Sequence, residues 1–477
     1  MSTVSSTLSV RDPRTGAVSC GISATSVGEL DAIISGARAA QVAWEALGVD
    51  GRIAVLAKWR EVLATMQDRL IAAVTLDTGR IRESRREAAN IGKWIDRWSA
   101  IAPRALAPSG GPTSMPGFSF TSDLAPIPVL GVISPWNFPM SLSVMDAIPA
   151  LLAGCAVIIK PSEVTPHFIG PIEDSIAQVP ELAGVLTYIR GAGELGAALI
   201  DRVDGICFTG STATGRKVAS RAGARLIPCF VELGGKDAAI VLEGADLERA
   251  TRAIVTGATL GTGQQCYSVE RIYVARALHD RFLALLTGKA RKLDLALPQP
   301  DDGPIGPLIF APQAAIIEAH LADARAKGAI VHCGGEIERH GGGLWVRPTV
   351  LSNVTHDMAV MREETFGPLL PVMAFDSVDE AVRLANDTAY GLTGAVFGPR
   401  EAALAVARRM KAGGVNVNDA GATPFFIGDA TVCANNAFGD SGLGGSRTGP
   451  DSILRFVRQK MIVSNVTNDP SAWWYDV

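Results

Sequence analysis

Five short apolar runs decide the fold: PIPVLGVISP at 126–135, CAVIIKP at 155–161, GVLTYI at 184–189, GICFTG at 205–210 and CFVELGG at 229–235. Helix-like segments separate them, so together they read as buried parallel strands joined by crossover helices in repeated βαβ units. A second alternating region runs on to about residue 440. Its strand candidates are RIYVA (271–275), AIVHCG (329–334), PTVLSNV (348–354), LLPVMAF (369–375), TGAVFG (393–398) and GGVNVN (413–418), set among helices such as HDRFLALLTGKARKL (279–293). Upstream, 27–90 carries alanine-rich and charged positions at helical spacing and predicts two or three amphipathic helices. At the other end, DSILRFVRQKMIVSN (451–465) predicts an edge strand that pairs with FSFTSD at 118–123. The expected fold class is α/β, with an active site in the cleft between two packed domains.

Composition narrows the functions. The chain has 477 residues, and at roughly 100 to 200 residues per domain it holds two to four domains. Lys plus Arg number 44 against 48 Asp plus Glu, with no basic cluster, so a nucleic-acid partner is not expected. Seven cysteines are odd in number, scattered and without CxxC spacing, which suits a reducing, cytoplasmic setting rather than a disulfide framework or a zinc site. No secretory signal is visible in the first 20 residues. The uncharged stretch 124–145 is interrupted by Pro126, Pro128, Pro135 and Pro139, so it reads as core and not as a membrane span.

Several motifs carry chemistry, each with a bland alternative. In DGICFTGSTATGRKVAS (204–220), a strand is followed by Gly210, Ser211 and Gly215 and then a helix, which makes either a diphosphate cradle or an ordinary turn. Lys160 and Glu163 stand at a strand end, where an acid can accept both hydroxyls of an adenosine ribose and repel a 2′-phosphate; a solvated charge pair is the alternative. Cys266, in LGTGQQCYSVERIYV (260–274), differs from the other cysteines by its polar, glycine-rich surroundings. Glycines 261 and 263 are expected to leave that backbone flexible and close to a ligand. Cys155, Cys207 and Cys229 lie in apolar runs and read as inert core. Glu232 precedes two glycines at a strand end, a place for a general base with a raised pKa or for an ion-paired glutamate. Asn137, fixed between Pro135 and Pro139, is an oxyanion donor or a turn former. None of the six histidines has metal-ligand spacing or a Ser or Cys beside it, so the base is expected to be a carboxylate and no metal is expected.

Taken in order, SPWNFP (134–139), KPSE (160–163), FTGSTATG (208–215), ELGGK (232–236), GQQC (263–266), EETFGP (363–368) and SGLGGSR (441–447) resemble the aldehyde dehydrogenase superfamily. DPRTG (12–16), LDTGR (76–80) and NDTAYGLTGAVF (386–397) extend the resemblance over most of the chain. It implies a Rossmann-like NAD-binding domain of 1–107 and 127–234, an α/β catalytic domain of 235–440, and a small β-ribbon of 108–126 and 452–466 that joins subunits into a homodimer or homotetramer. It further implies Cys266 as nucleophile, Glu232 as general base, and Asn137 with the Cys266 amide as oxyanion hole. Trp136, Lys160, Ser162, Glu163, Gly210, Ser211, Gly215, Leu233, Glu364 and Phe366 would hold the nucleotide, and Phe138, Leu142, Met145 and Tyr267 would lie at the aldehyde entry.

The expected activity is oxidation of an aldehyde to its carboxylic acid through a thiohemiacetal and a thioester on Cys266. NAD is preferred to NADP because of Glu163. With no arginine among the four entry residues, an apolar aromatic or medium-chain aliphatic aldehyde is expected. The alternatives are a CoA-acylating relative, which Glu232 disfavours, and a non-catalytic protein on the same fold, which retention of Cys266 and Asn137 disfavours. The chain departs from the family where relatives carry a lysine shortly after SPWNFP, here Asp146, and an acid after SGxGR, absent from GGSRTG. Both positions are associated with a proton path from the base. The segment at 424–447 also departs from the familiar PFGGxKxSG run.

Overall fold

A computed structural model of the chain describes residues 7–420 and 434–467. The five apolar runs form parallel strands Val129–Ile133, Ala156–Lys160, Leu186–Tyr188, Gly205–Thr209 and Cys229–Glu232. In space their order is third, second, first, fourth, fifth, and Gly442–Leu443 adds an antiparallel edge beside Cys229–Glu232. The order reverses between the first and fourth strands, which pair from Leu130 with Gly205 to Ile133 with Phe208. A crevice opens at such a reversal, at the carboxyl ends of the strands. The loops that leave those ends carry Asn137 and Ser211.

The N-terminal third supplies helices Val27–Ala46, Gly48–Thr65, Gln67–Thr78 and Ile81–Ala105, which share one hydrophobic core with this sheet. Ser26 caps the first of them, accepting from the Glu29 N–H while its own N–H donates to Glu29.

The second sheet runs Ile330–Cys333, Thr349–Ser352, Leu369–Phe375, Val269–Ala275, Asp237–Val241, Thr393–Phe397, Gly414–Val417. All neighbours are parallel except the first pair. Ala238, Ile240 and Tyr273 pack into one core while Ala239, Val241, Ile272 and Val274 pack into another, as the two-residue period of a sheet buried on both faces requires. Asp237–Val241 joins this sheet although its run was not among the strand candidates.

A three-stranded antiparallel ribbon completes the chain. Val457–Asn465 pairs with Phe118–Pro126, which pairs with Ser109–Pro112, and Lys460 stands opposite Asp123. The outer strand leaves Met461, Ile462 and Val463 exposed. Among the described residues no helix is long and apolar enough to cross a membrane. The 124–145 stretch runs from ribbon into the buried Val129–Ile133 strand and the short helix Pro139–Val144.

Candidate active site

Cys266, Glu232 and Asn137 line one cavity of about 640 Å³. Three elements bring them together. Asn137 follows the first strand of the nucleotide-side sheet, Glu232 ends the fifth, and Cys266 lies in the loop that feeds Val269–Ala275. The Asn137 Nδ2 donates to the Gln264 carbonyl at 3.0 Å, two residues from the thiol. Its Oδ1 is buried with no hydrogen-bond partner among the described residues. One amide N–H therefore stays available to a developing oxyanion.

The nucleophile loop is held from several sides. Gly261, Thr262 and Gly263 all have left-handed φ, at 58°, 62° and 69°. A Cβ on Gly263 would lie 2.5 Å from the Gly367 carbonyl carbon, and one on Gly261 would lie 2.7 Å from Arg80 Nη1. These glycines are needed for contact with the protein's own backbone and with Arg80, which corrects the expectation of a flexible loop near a ligand. Thr262 Oγ1 accepts from the Gly306 N–H at 2.9 Å, and Gln264 Oε1 accepts from the Ile309 N–H at 2.9 Å. Arg80 ties the loop to the oxyanion segment. Its buried guanidinium donates to the Asn137 and Gly261 carbonyls and stacks over Phe138 at 5.0 Å.

Burial raises the pKa of the Cys266 thiol, and the nearby Asp237, Glu232 and Glu364 carboxylates raise it further. Burial also raises Glu232, while Arg447 and Arg455 pull it down. The site thus sets a thiol that is harder to ionise than usual beside a carboxyl group that burial pushes up and two guanidiniums pull down, so forming a thiolate needs a base within the cavity.

The residues expected to hold a nucleotide make the following contacts. Ser211 caps helix Thr212–Ala224 by accepting from the Thr214 N–H, and the N–H groups of Thr212 and Ala213 have no intrahelical acceptor. A Cβ on Gly215 would lie 2.3 Å from Leu233 Cδ2, so the glycine lets Leu233 pack against the start of this helix. At Gly210 a Cβ would meet the Phe208 ring at 2.6 Å. The buried Lys160 reaches the partly exposed Glu163 at 3.1 Å, and Ser162 Oγ accepts from the Val164 N–H. Trp136 and Phe366 meet edge to face at 5.4 Å. Glu364 accepts from the Gly235 N–H at 2.9 Å, and burial pushes it up to about 7. These groups supply anion-binding N–H groups, a hydroxyl-accepting carboxylate and an aromatic wall, a donor set that fits a nicotinamide dinucleotide.

Phe138, Leu142, Met145 and Tyr267 line the same cavity as Cys266. Sequence reasoning missed its opposite wall, where helix Ile81–Ala105 contributes Arg86, Asn90, Lys93 and Trp94, and it missed Arg447. The four expected entry residues include no arginine, as read, but Arg85, Arg86 and Arg447 line the same cavity, so the absence of arginine among the four does not describe the whole lining. The 86, 90, 93 spacing marks one helix face, but nothing in the sequence says what that face meets. Also missed was the buried Lys236–Glu270 pair at 2.6 Å. Glu270 accepts from the Thr365 and Phe366 N–H groups and holds Phe366 at φ 53°. Cys155 and Cys207 are buried as expected, whereas Cys229 is only half-buried. Cys433 and the 424–433 part of the departing segment lie outside the described residues.

Comparison with known proteins agrees with this layout. The family model described as Aldehyde dehydrogenase family matches residues 1–462. A putative succinate-semialdehyde dehydrogenase [NADP(+)] of Mycolicibacterium smegmatis is 38% identical over 448 residues, 93% of this chain and 86% of that protein. A 4,4'-diapolycopene aldehyde oxidase of a Methylomonas species is 41% identical over 366 residues, 76% of this chain and 68% of that protein. The solved structure of a putative aldehyde dehydrogenase, PutA, from Anabaena variabilis superposes with a TM-score of 0.96 at 49% identity, covering 99% of this chain and 100% of that one. The chain belongs to the aldehyde dehydrogenase family and has its fold.

Proposed function

We propose that the protein oxidises an aldehyde to the free carboxylic acid, with Cys266 as nucleophile, Glu232 as general base, and Asn137 Nδ2 with the Cys266 backbone N–H as oxyanion donors. The observation that carries this reading is the convergence of the three side chains on one cavity. Glu232 takes the thiol proton as sulfur adds to the carbonyl carbon, and the donors hold the oxyanion of the resulting thiohemiacetal. A nicotinamide bound there would accept the hydrogen that leaves this carbon together with its electron pair. Glu232 gives up the thiol proton to solvent, then takes a proton from water as it attacks the Cys266 thioester, and the thiolate leaves with release of the acid.

NAD is the proposed cofactor, since an acid at a strand end, as Glu163 is, can accept the hydroxyls of an adenosine ribose and repel a 2′-phosphate. For the substrate, Phe138, Leu142, Met145, Tyr267 and Trp94 favour an apolar aromatic or medium-chain aldehyde. Arg86 and Lys93 on the same cavity, with relatives named as succinate-semialdehyde dehydrogenases, favour a second reading, an aldehyde carrying a carboxylate. The exposed apolar strand Val457–Asn465 suits pairing with a second copy of the chain in a homodimer or homotetramer. Nucleotide reduction with hexanal, benzaldehyde and succinate semialdehyde, with and without CoA, tests the activity. CoA-independent, aldehyde-dependent reduction is expected, and a requirement for CoA or no turnover would overturn it.

A further inference from the structure

Beside Glu232 lies a cluster of charges that the reaction above does not use. Asp146, 1% exposed, is gripped on both oxygens, by Arg447 Nη2 at 2.6 Å and by Arg455 Nη2 at 2.5 Å. Asp146 is about 300 residues from Arg447 and Arg455, which lie eight residues apart. Asp146 stands at the start of helix Ala147–Ala153, Arg447 lies in the loop after Gly442–Leu443, and Arg455 lies in the short helix Pro450–Phe456. Arg455 is packed over the Phe456 and Phe230 rings at 4.6 and 5.7 Å and donates to the Ser446 carbonyl at 2.7 Å, so it cannot swing into water without breaking that packing. Arg447 lines the catalytic cavity; its contact with Asp146 Oδ2 is an ion pair without hydrogen-bond geometry, and its buried Nε and Nη2 have no hydrogen-bond partner among the described residues.

Charge balance then decides what the cluster does. Two guanidiniums cannot lose their protons inside a protein, and one carboxylate answers only one of them. A single uncompensated positive charge in a buried site is costly unless an anion stands near it. Several titratable groups face this region. Cys266 and Tyr267 come from the nucleophile loop, Cys207 from the neighbouring strand, Cys229 from Glu232's own strand, and Glu232 itself ends that strand. Burial raises all three thiols and the phenol, which leaves them neutral near pH 7. Of the other carboxyl groups on the cavity, Glu83 accepts from the Gly261 N–H, and Glu87 accepts from the Ser141 N–H, lies near Arg80 and is pushed up to about 8 by burial, which leaves Glu232 as the one set against Arg447 and Arg455.

We propose that Arg447, Arg455 and Asp146 form a buried, singly cationic cluster whose missing counter-ion is the ionised carboxylate of Glu232, so that Arg447 is a positioning residue that keeps the base ready to accept a proton. The proposal rests on the reading of Glu232 as general base. It accounts for an acid at position 146, where a lysine would have left three cations together. It also gives the guanidinium an electrostatic role only, since an arginine cannot relay a proton.

Two substitutions separate this role from mere support of the fold, because they act in opposite directions. Arg447→Met removes the cation and is expected to move the acid limb of the kcat–pH profile up by about one pH unit or more. Asp146→Asn adds to the uncompensated positive charge and is expected to move the same limb down. Arg447→Lys keeps the charge and should stay close to the parent profile. Alkylation of Cys266 by iodoacetamide across pH, which needs no turnover, should slow at a given pH in Arg447→Met and quicken in Asp146→Asn. Circular dichroism establishes that each variant is folded. Should the two variants shift the limb and the alkylation profile the same way, or neither shift them, while Glu232→Gln abolishes the limb, the cluster proposal is overturned and the base stands. An acid limb that survives in Glu232→Gln overturns the base assignment instead.

Discussion

Arg80 offers the sharpest single perturbation of the site. It is buried, and it joins the oxyanion segment to the nucleophile loop by donating to the Asn137 and Gly261 carbonyls. Arg80→Met keeps the aliphatic stem and removes both bonds. Each charge-assisted bond contributes about 1.5 to 3 kcal/mol, so the loss is about 3 kcal/mol or more, with two buried carbonyls left unpaired. Part of that cost is offset, because the buried Arg80 guanidinium no longer has to be desolvated. Urea unfolding should record a net destabilisation of about 2 to 3 kcal/mol. The kinetic effect should be larger than the stability effect suggests. A misplacement of about 1 Å between Asn137 and Cys266 costs on the order of 100-fold in kcat, while nucleotide affinity stays near the parent value because Arg80 touches none of the nucleotide-side residues. Arg80→Lys retains the charge without the planar fork and should recover stability better than rate. Parent-like kcat in a folded Arg80→Met enzyme would refute the view that this guanidinium sets the distance between amide and thiol.

Other consequences are equally open to measurement. Glu163→Gln removes the charge facing a 2′-phosphate and should raise kcat/KM with NADP relative to NAD by about tenfold; an unchanged ratio would show that Glu163 does not discriminate. Burial places Glu87 and Asp237 at about 8 and Glu364 at about 7, all above their unfolded values. The native state therefore binds more protons than the unfolded chain between about pH 5 and 8, and these groups' contribution to stability is full below their unfolded pKa and is lost as pH rises through that window. Melting temperature should accordingly fall from pH 6 toward 8.5 for these groups, and Glu87→Gln should flatten the slope. Gly263→Ala puts a Cβ 2.5 Å from the Gly367 backbone at a left-handed φ, so it should reduce both stability and nucleophile reactivity, as differential scanning calorimetry and Cys266 alkylation would report.

The parts of the fold that could be read in the sequence were those whose physics is local. Strands buried on both faces appear as unbroken Val and Ile runs, so Val129–Ile133, Ala156–Lys160 and Gly205–Thr209 were visible, as was the pairing of 118–123 with the C-terminal strand. Asp237–Val241 escaped because it follows Lys236 with an acid and two alanines, so only Ile240 and Val241 carry a strand signal. The hairpin of Thr7–Arg11 and Val18–Ser23 escaped because it is mostly exposed and polar. In the site, Cys266, Glu232 and Asn137 stood out through their own neighbourhoods. Arg80, Arg86, Lys93 and the partners of Asp146 did not, since their places depend on which helix face or distant loop the tertiary structure brings to the cavity. Asp146 could be noticed as a departure, but its ion pairs with Arg447 and Arg455 lie about 300 residues away in sequence, beyond any local pattern.

The central claim is that the aldehyde carbon becomes bonded to the sulfur of residue 266 and is released by the carboxylate of residue 232. Rapid acid quench of Glu232→Gln during its first turnover, followed by peptide mass spectrometry, tests it directly. An acyl group is expected on the peptide containing Cys266, in amount equal to the reduced nucleotide formed. An acyl group on another cysteine, or stoichiometric reduced nucleotide with Cys266 unmodified, would contradict it.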